Sequence, residues 1–227
     1  MKNIYCLLIV SFLCISSLLP AGAQTLSEKD FQVLNMNDGL SDNDIHSVAK
    51  DTEGFMWFGT GSGLNRYDGR TFKVFRMPGI SYRRIDRVVS LDTDYLLLRS
   101  EQNLFLFDKK YERFLPVCDS VSKQPVMFAD FVADSDGSCW GVSSGELSEV
   151  NFPSSYVQDT AFVSVRHVVN NSQSDPFVVL CMGEDGKMLY CASRNGTVYR
   201  FTPGQRQLKK VCDGQLSSGR WVSSLLN

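Results

Sequence analysis

From Ile45 onward the chain is written in short apolar runs, broken every few residues by Gly, Asp, Asn or Ser. Alternation of this kind over short runs marks strands rather than helices. The stretch from Ile45 to Arg76 shows the pattern best. Ile45 to Lys50, Phe55 to Thr60, Leu64 to Tyr67 and Thr71 to Arg76 read as four strands. Between them stand Asp51-Thr-Glu-Gly54, Gly61-Ser-Gly63 and Asp68-Gly69, turn sequences in which Gly supplies positive φ and Asp bonds its own turn backbone. No stretch of 12 or more residues beyond the N-terminal leader keeps a helical apolar period. The pattern predicts an all-β chain.

The unit repeats. Asp51-x-x-Gly54-x-x-Trp57 recurs as Asp134-x-x-Gly137-x-x-Trp140, with weaker copies over Leu91 to Asp108 and Gly183 to Phe201. Aligning them sets Trp57, Leu97, Trp140 and Leu189 in one column, 40, 43 and 49 residues apart. A period of about 40–50 residues with four strands per unit predicts a β-propeller built from four-stranded blades. The repeats fall at about 45–76, 85–117, 127–152 and 177–211. Trp221 to Asn227 matches Ile45 to Asp51 and reads as the start of another unit. The expectation is therefore an incomplete propeller over 45–227, about four blades plus the start of a fifth, truncated at Asn227. Residues 24–44 form an N-terminal segment, in which Phe31 to Met36 is a candidate strand for closing the ring. Within the columns, Asp51 and Asp134 are expected to accept turn amides, Gly54 and Gly137 to take the left-handed position, and Trp57 and Trp140 to fill the space between blades.

Residues 1–23 read as a signal peptide. Lys2 gives a positive start, Ile4 to Leu19 is apolar, and Ala21-Gly-Ala23 supplies the small residues of a cleavage site between Ala23 and Gln24. The apolar run of 16 residues falls short of the ~20 that span a bilayer, and no second such run follows. The reading is an exported, periplasmic chain with no membrane span apart from the cleaved leader. Export permits disulfides. Yet Cys118, Cys139, Cys181, Cys191 and Cys212 are odd in number and lack C-x-x-C spacing, which favours small buried hydrophobes over a metal or redox site.

Composition narrows the function. With 23 Lys+Arg against 25 Asp+Glu the formal charge is -2, which excludes the basic excess of a nucleic-acid footprint. His46 and His167 stand alone in strand-like segments, so no metal site is predicted. There is no Gly-x-Ser-x-Gly elbow, and Gly59-Thr-Gly-Ser-Gly63 lacks the helix and Lys of a phosphate loop. The sialidase box places its acid two residues before Gly; here Asp51 and Asp134 stand three before it, with Glu53 and Asp136 directly before it. No catalytic residue, metal or cofactor is expected, and the chain is read as no enzyme. Arg83, Arg84 and Arg87, between the first two units, have the charge to meet an anionic sugar, and Tyr82 and Tyr156 have rings that stack on sugars. The arginines read more readily as a solvated loop, so the ligand-binding residues remain unassigned.

The segment from Leu34 to Phe75 resembles the start of periplasmic sensors built from two-component regulator propeller repeats. The residues that carry the likeness are Asp38-Gly-Leu-Ser41, Asp51, Gly54, Trp57, Gly59-Thr60, Gly63-Leu64 and Arg66-Tyr-Asp-Gly69. The later units match it only weakly: the second lacks the Gly and Trp, and the fourth lacks the Trp. The resemblance implies the N-terminal fragment of a ligand-sensing propeller from a hybrid two-component histidine kinase. In such receptors the exported part detects glycan fragments, controls polysaccharide use through a phosphorelay and works as a homodimer. The implied partner is an oligosaccharide. The kinase, receiver and DNA-binding parts are not in these 227 residues. The alternative is a stand-alone secreted propeller that binds glycans or proteins, and a weaker third is a degenerate propeller enzyme.

Overall fold

The structure, a computed structural model, describes residues 31–79, 84–133, 138–153, 156, 159–170, 174–183 and 186–213. The expected signal peptide, the second copy's Asp134 and Gly137, and the segment 221–227 lie outside the described residues. Sixteen strands follow one another: β1 (Ile45–Lys50), β2 (Met56–Thr60), β3 (Gly63–Tyr67), β4 (Phe72–Phe75), β5 (Arg87–Ser90), β6 (Tyr95–Ser100), β7 (Asn103–Asp108), β8 (Arg113–Asp119), β9 (Asp130–Ala133), β10 (Cys139–Ser143), β11 (Glu146–Asn151), β12 (Ala161–Asn170), β13 (Phe177–Met182), β14 (Leu189–Ser193), β15 (Val198–Thr202) and β16 (Gln207–Cys212). Each successive set of four forms an antiparallel meander. The fold is all-β and propeller-like. Among the described residues no helix is long and apolar enough to cross a membrane.

The meanders are not four separate sheets. β1–β4 and β13–β16 stand alone, but the second and third merge into one sheet ordered β5-β6-β7-β8-β12-β11-β10-β9. The junction is parallel, with Val117, Cys118 and Asp119 of β8 opposite Ala161, Phe162 and Val163 of β12, and the Ser120 amide donates to the Val163 carbonyl at 2.8 Å. Strand β12, ten residues long, lies beyond residue 152, where the third repeat was expected to end. The joined sheet folds over a shared core and is nearly closed.

Three apolar clusters alternate with the meanders. Trp57, Leu64, Phe75, Ile85, Leu96, Leu98 and Phe107 fill the space between the first and second. Leu97, Leu106, Leu115, Phe131, Cys139 and Val163 form the core of the joined sheet. Val132, Trp140, Leu147, Phe177, Leu189 and Phe201 lie between the third and fourth. Strand β6 explains this division: Leu96 and Leu98 point one way and Leu97 the other, all fully buried, because side chains alternate along a strand and here both faces are covered. The same alternation corrects the repeat column. Trp57, Leu97 and Trp140 each face the following meander, but Leu189 shares a cluster with Trp140 and so faces the preceding one. A one-residue slip turns a side chain to the opposite face, and Tyr190 takes the column position.

Residues 35–41 dock on the first meander through polar clasps. Residues 31–35 form no strand and Met36–Asp38 make a 3-10 turn; the last blade, which the strand expected at Phe31 to Met36 would join, is not among the described residues. Asn35 caps the turn, with its side chain accepting from the Asn37 amide and the Asp38 carboxylate accepting from the Asn35 amide. Leu40 is buried. The Ser41 amide donates to Asn65 Oδ1 at 2.9 Å, Asn65 Nδ2 returns a bond to Ser41 Oγ at 2.8 Å, and Ser41 Oγ meets Thr60 Oγ1 at 2.9 Å. Among the described residues Cys118, Cys191 and Cys212 are free thiols. Cys139 and Cys191 are buried, and burial pushes the Cys191 thiol up to about 12.

Candidate functional site

In the first repeat the turn residues are structural. Asp51 Oδ1 accepts the Glu53 and Phe55 amides at 3.0 Å, and Oδ2 accepts the Trp57 indole N–H at 2.8 Å. Lys109, buried and contributed by the next meander, lies 3.5 Å from the same oxygen. Gly54 has φ +93°, the left-handed position the turn needs. Burial opposes ionisation of Asp51, but the Trp57, Lys109 and amide bonds together hold its carboxyl below the usual range. Every lone-pair direction is spent within the fold, so Asp51 is an organiser of the turn and not a ligand group.

Polar chemistry gathers instead where the first strands of the meanders meet. β5, β9 and β13, with His46 of β1, surround a cavity of about 500 Å³. Into it face Asp86, Arg87, Arg99 and Asp130, against an apolar wall that includes Val89, Val132 and Leu180. Arg87 Nη1 lies 3.3 Å from Asp130 Oδ1, and Asp130 Oδ2 accepts the Leu180 amide at 2.9 Å. Asp86 accepts from Arg84 Nε and, at 2.7 Å, from the Glu101 amide. Arg99 donates to the Ala129 carbonyl. Its buried Nε has no partner. Burial lowers the Arg99 pKa, with Asp130 and Asp86 acting against that and Arg87 adding to it. The site is thus a channel with two arginines whose carboxylate neighbours are already engaged.

Of the residues singled out in the sequence, Arg87 and His46 reach this cavity. Arg84 is tied to Asp86 at its rim, and Arg83 and Tyr82 lie outside the described residues. Tyr156 is not a stacking platform. Its ring packs edge-on against Tyr95 at 5.2 Å beside the core of the joined sheet, and burial raises its hydroxyl pKa. His167 is exposed and sits beside Ser148 and Glu146. That trio is no catalytic relay, because Ser148 Oγ at 3.0 Å and Glu146 Oε2 at 3.1 Å both meet the same ring nitrogen, Nδ1, whereas a relay needs one partner on each nitrogen. Among the described residues no group of His, Cys, Asp and Glu is placed to hold a metal ion. Sequence reading missed Arg99, Asp86 and Asp130. The available signal was a cation in the otherwise apolar Tyr95-Leu-Leu-Leu-Arg-Ser100.

Residues 39–62 match the family model described as Two component regulator propeller. A curated relative, Histidine kinase P4 of Formosa agariphila, is 38% identical over 78 residues, which are 34% of this chain and 5% of the relative. Among solved structures, the extracellular domain of a hybrid two component system from B. thetaiotaomicron superimposes with TM-score 0.59 at 17% identity, covering 80% of this chain and 26% of that one. The extracellular domain of a one component system from the same organism gives 0.57 at 17% identity, over 79% and 27%. Virginiamycin B lyase from Staphylococcus aureus gives 0.53 at 10% identity, over 83% and 60%. Similarity at this level of identity establishes the fold alone. The described residues are taken up by the meanders and their connections. The 39–62 match, the similarity to the curated kinase and the shared fold relate this chain to the extracellular propeller sensor domains of two-component systems.

Proposed function

We propose that this chain is the N-terminal part of the periplasmic sensor of a hybrid two-component histidine kinase, in which a propeller of four-stranded blades detects glycan fragments and regulates polysaccharide use. The carrying observation is the match over residues 39–62, which covers the Asp51 turn and, of the clasp, Ser41 and Thr60. The chain spans 5% of the curated kinase it matches, which supports reading it as one piece of a much longer receptor. The four meanders are taken as four blades and Trp221 to Asn227 as the start of the next. Ligand binding would then bias a receptor dimer between two states, by as much as the ligand's affinity differs between them.

The test is direct. The purified chain, titrated by calorimetry with a panel of neutral and acidic oligosaccharides, is expected to bind a subset saturably. Absence of binding across the panel overturns the glycan reading. Reading the gene beyond codon 227 separates the receptor from the second possibility, a stand-alone secreted binding module. The receptor reading expects further repeats, a membrane span and a kinase. The module reading is favoured by one observation, that the described residues hold a cavity of ligand size.

A further inference from the structure

Arg87 and Arg99 are directly opposite each other in the β5–β6 ladder. Like charges facing across two strands destabilise a sheet, so such a pair calls for a compensating anion. The protein supplies Asp86 and Asp130 on the same cavity, and both are shared with other donors. Asp130 bonds Arg87 with one oxygen and gives the other to the Leu180 amide, while Asp86 is held by Arg84 and the Glu101 amide. Arg99 has a carbonyl as its partner, and its Nε is buried and unbonded. Both guanidiniums line the same cavity of about 500 Å³, beside the His46 ring.

We propose that this cavity is a binding site for an oxyanion carried on a saccharide, a uronate carboxylate or a sulfate ester, held between Arg87 and Arg99. A planar guanidinium matches the two-oxygen edge of either group, and charge-assisted bonds of this kind are strong and directional. The apolar wall of Val89, Val132 and Leu180 lowers the local dielectric and strengthens the attraction. Arg87 sits on β5 and Arg99 on β6, so both cations that grip the anion come from the second meander, while Asp130 on β9 anchors Arg87. The proposal rests on the glycan-sensing reading for the saccharide, but the anion site is testable apart from it.

The probes are inorganic sulfate, a sulfated disaccharide, a uronic-acid disaccharide and a neutral disaccharide of equal length. The chain is melted with each, at ionic strength matched with sodium chloride. The unsubstituted chain is expected to be stabilised by sulfate beyond the chloride control, and to bind at least one acidic disaccharide about tenfold or more tightly than the neutral one. Arg99→Gln is expected to melt no lower without ligand, because it removes the like-charge opposition, and to lose the sulfate response. Arg99→Lys keeps the charge and is expected to retain a weakened response. Which acidic disaccharide binds separates carboxylate from sulfate ester. Equal stabilisation of the unsubstituted chain and Arg99→Gln by sulfate overturns the site. If sulfate stabilises through Arg99 but no disaccharide binds, the anion site stands and the glycan reading falls. Binding of neutral and acidic sugars alike, unaffected by Arg99→Gln, leaves the glycan reading and overturns the anion site.

Discussion

Trp57 and Trp140 hold the same place in their repeats and are both buried, yet their indole N–H groups differ. That of Trp57 donates to Asp51, while that of Trp140 has no partner among the described residues. Trp57→Phe is therefore expected to cost about 1–2 kcal/mol, since it also strips a bond from a buried carboxylate. Trp140→Phe is expected to cost less, because it loses ring volume but no hydrogen bond, and urea denaturation of the two variants measures the difference. Asp51 adds a dependence on pH. Its folded pKa lies below its unfolded value, so its contribution is complete above the ordinary carboxylate pKa of ~4 and drains away as pH falls through the folded value. Melting temperatures at pH 7 and pH 3 are expected to fall further apart in the unsubstituted chain than in Asp51→Asn. A gap unchanged by the substitution would place the acid sensitivity elsewhere, with Asp119 or Asp68 the next carboxyls to examine, both held low by hydrogen bonds to their turns.

At the scale of strands, the meanders approach so closely that two positions admit no side chain. A Cβ on Gly59 would lie 2.7 Å from the Ile85 carbonyl oxygen of the next meander, and one on Gly141 would strike the Phe128 ring. Gly59→Ala is expected to destabilise by about 1–3 kcal/mol, because the obstacle is backbone and cannot turn aside; the same denaturation series reports it. Much of this level was legible in the sequence. The strands of the first unit were readable because Asp, Gly and Asn mark each reversal, and β1 runs over Ile45–Lys50 as the alternation predicted. Strand β12 was not, since nothing in Ala161 to Asn170 repeats a motif, and its parallel partner lies over forty residues back. Leu189 was misplaced by one residue for a similar reason: with no Trp in that unit to fix the register, an apolar neighbour served as well.

Across the whole molecule, the candidate site escaped the sequence because it has no local signature. Its residues come from separate turns of the repeat, and only the stacking of meanders brings His46, Arg87, Arg99 and Asp130 to one cavity. The fold class needed only periodicity, whereas the site needed the ladder that sets Arg87 against Arg99. The junction of β8 with β12 bears on how the chain comes apart. Repeat arrays commonly open unit by unit, each unit held only by its neighbours. Here a hydrogen-bonded seam welds the two central units into one cooperative body, flanked by two that are attached through side-chain packing. Native-state hydrogen exchange is expected to show the amides of β6, β7, β10 and β11 opening together at one free energy, with those of β3 and β15 opening earlier. Proline at Phe162 within the seam should split the central step in two. Under mechanical load or heat, this molecule would then shed its outer units first and keep the arginine pair, housed in the welded centre, until the last.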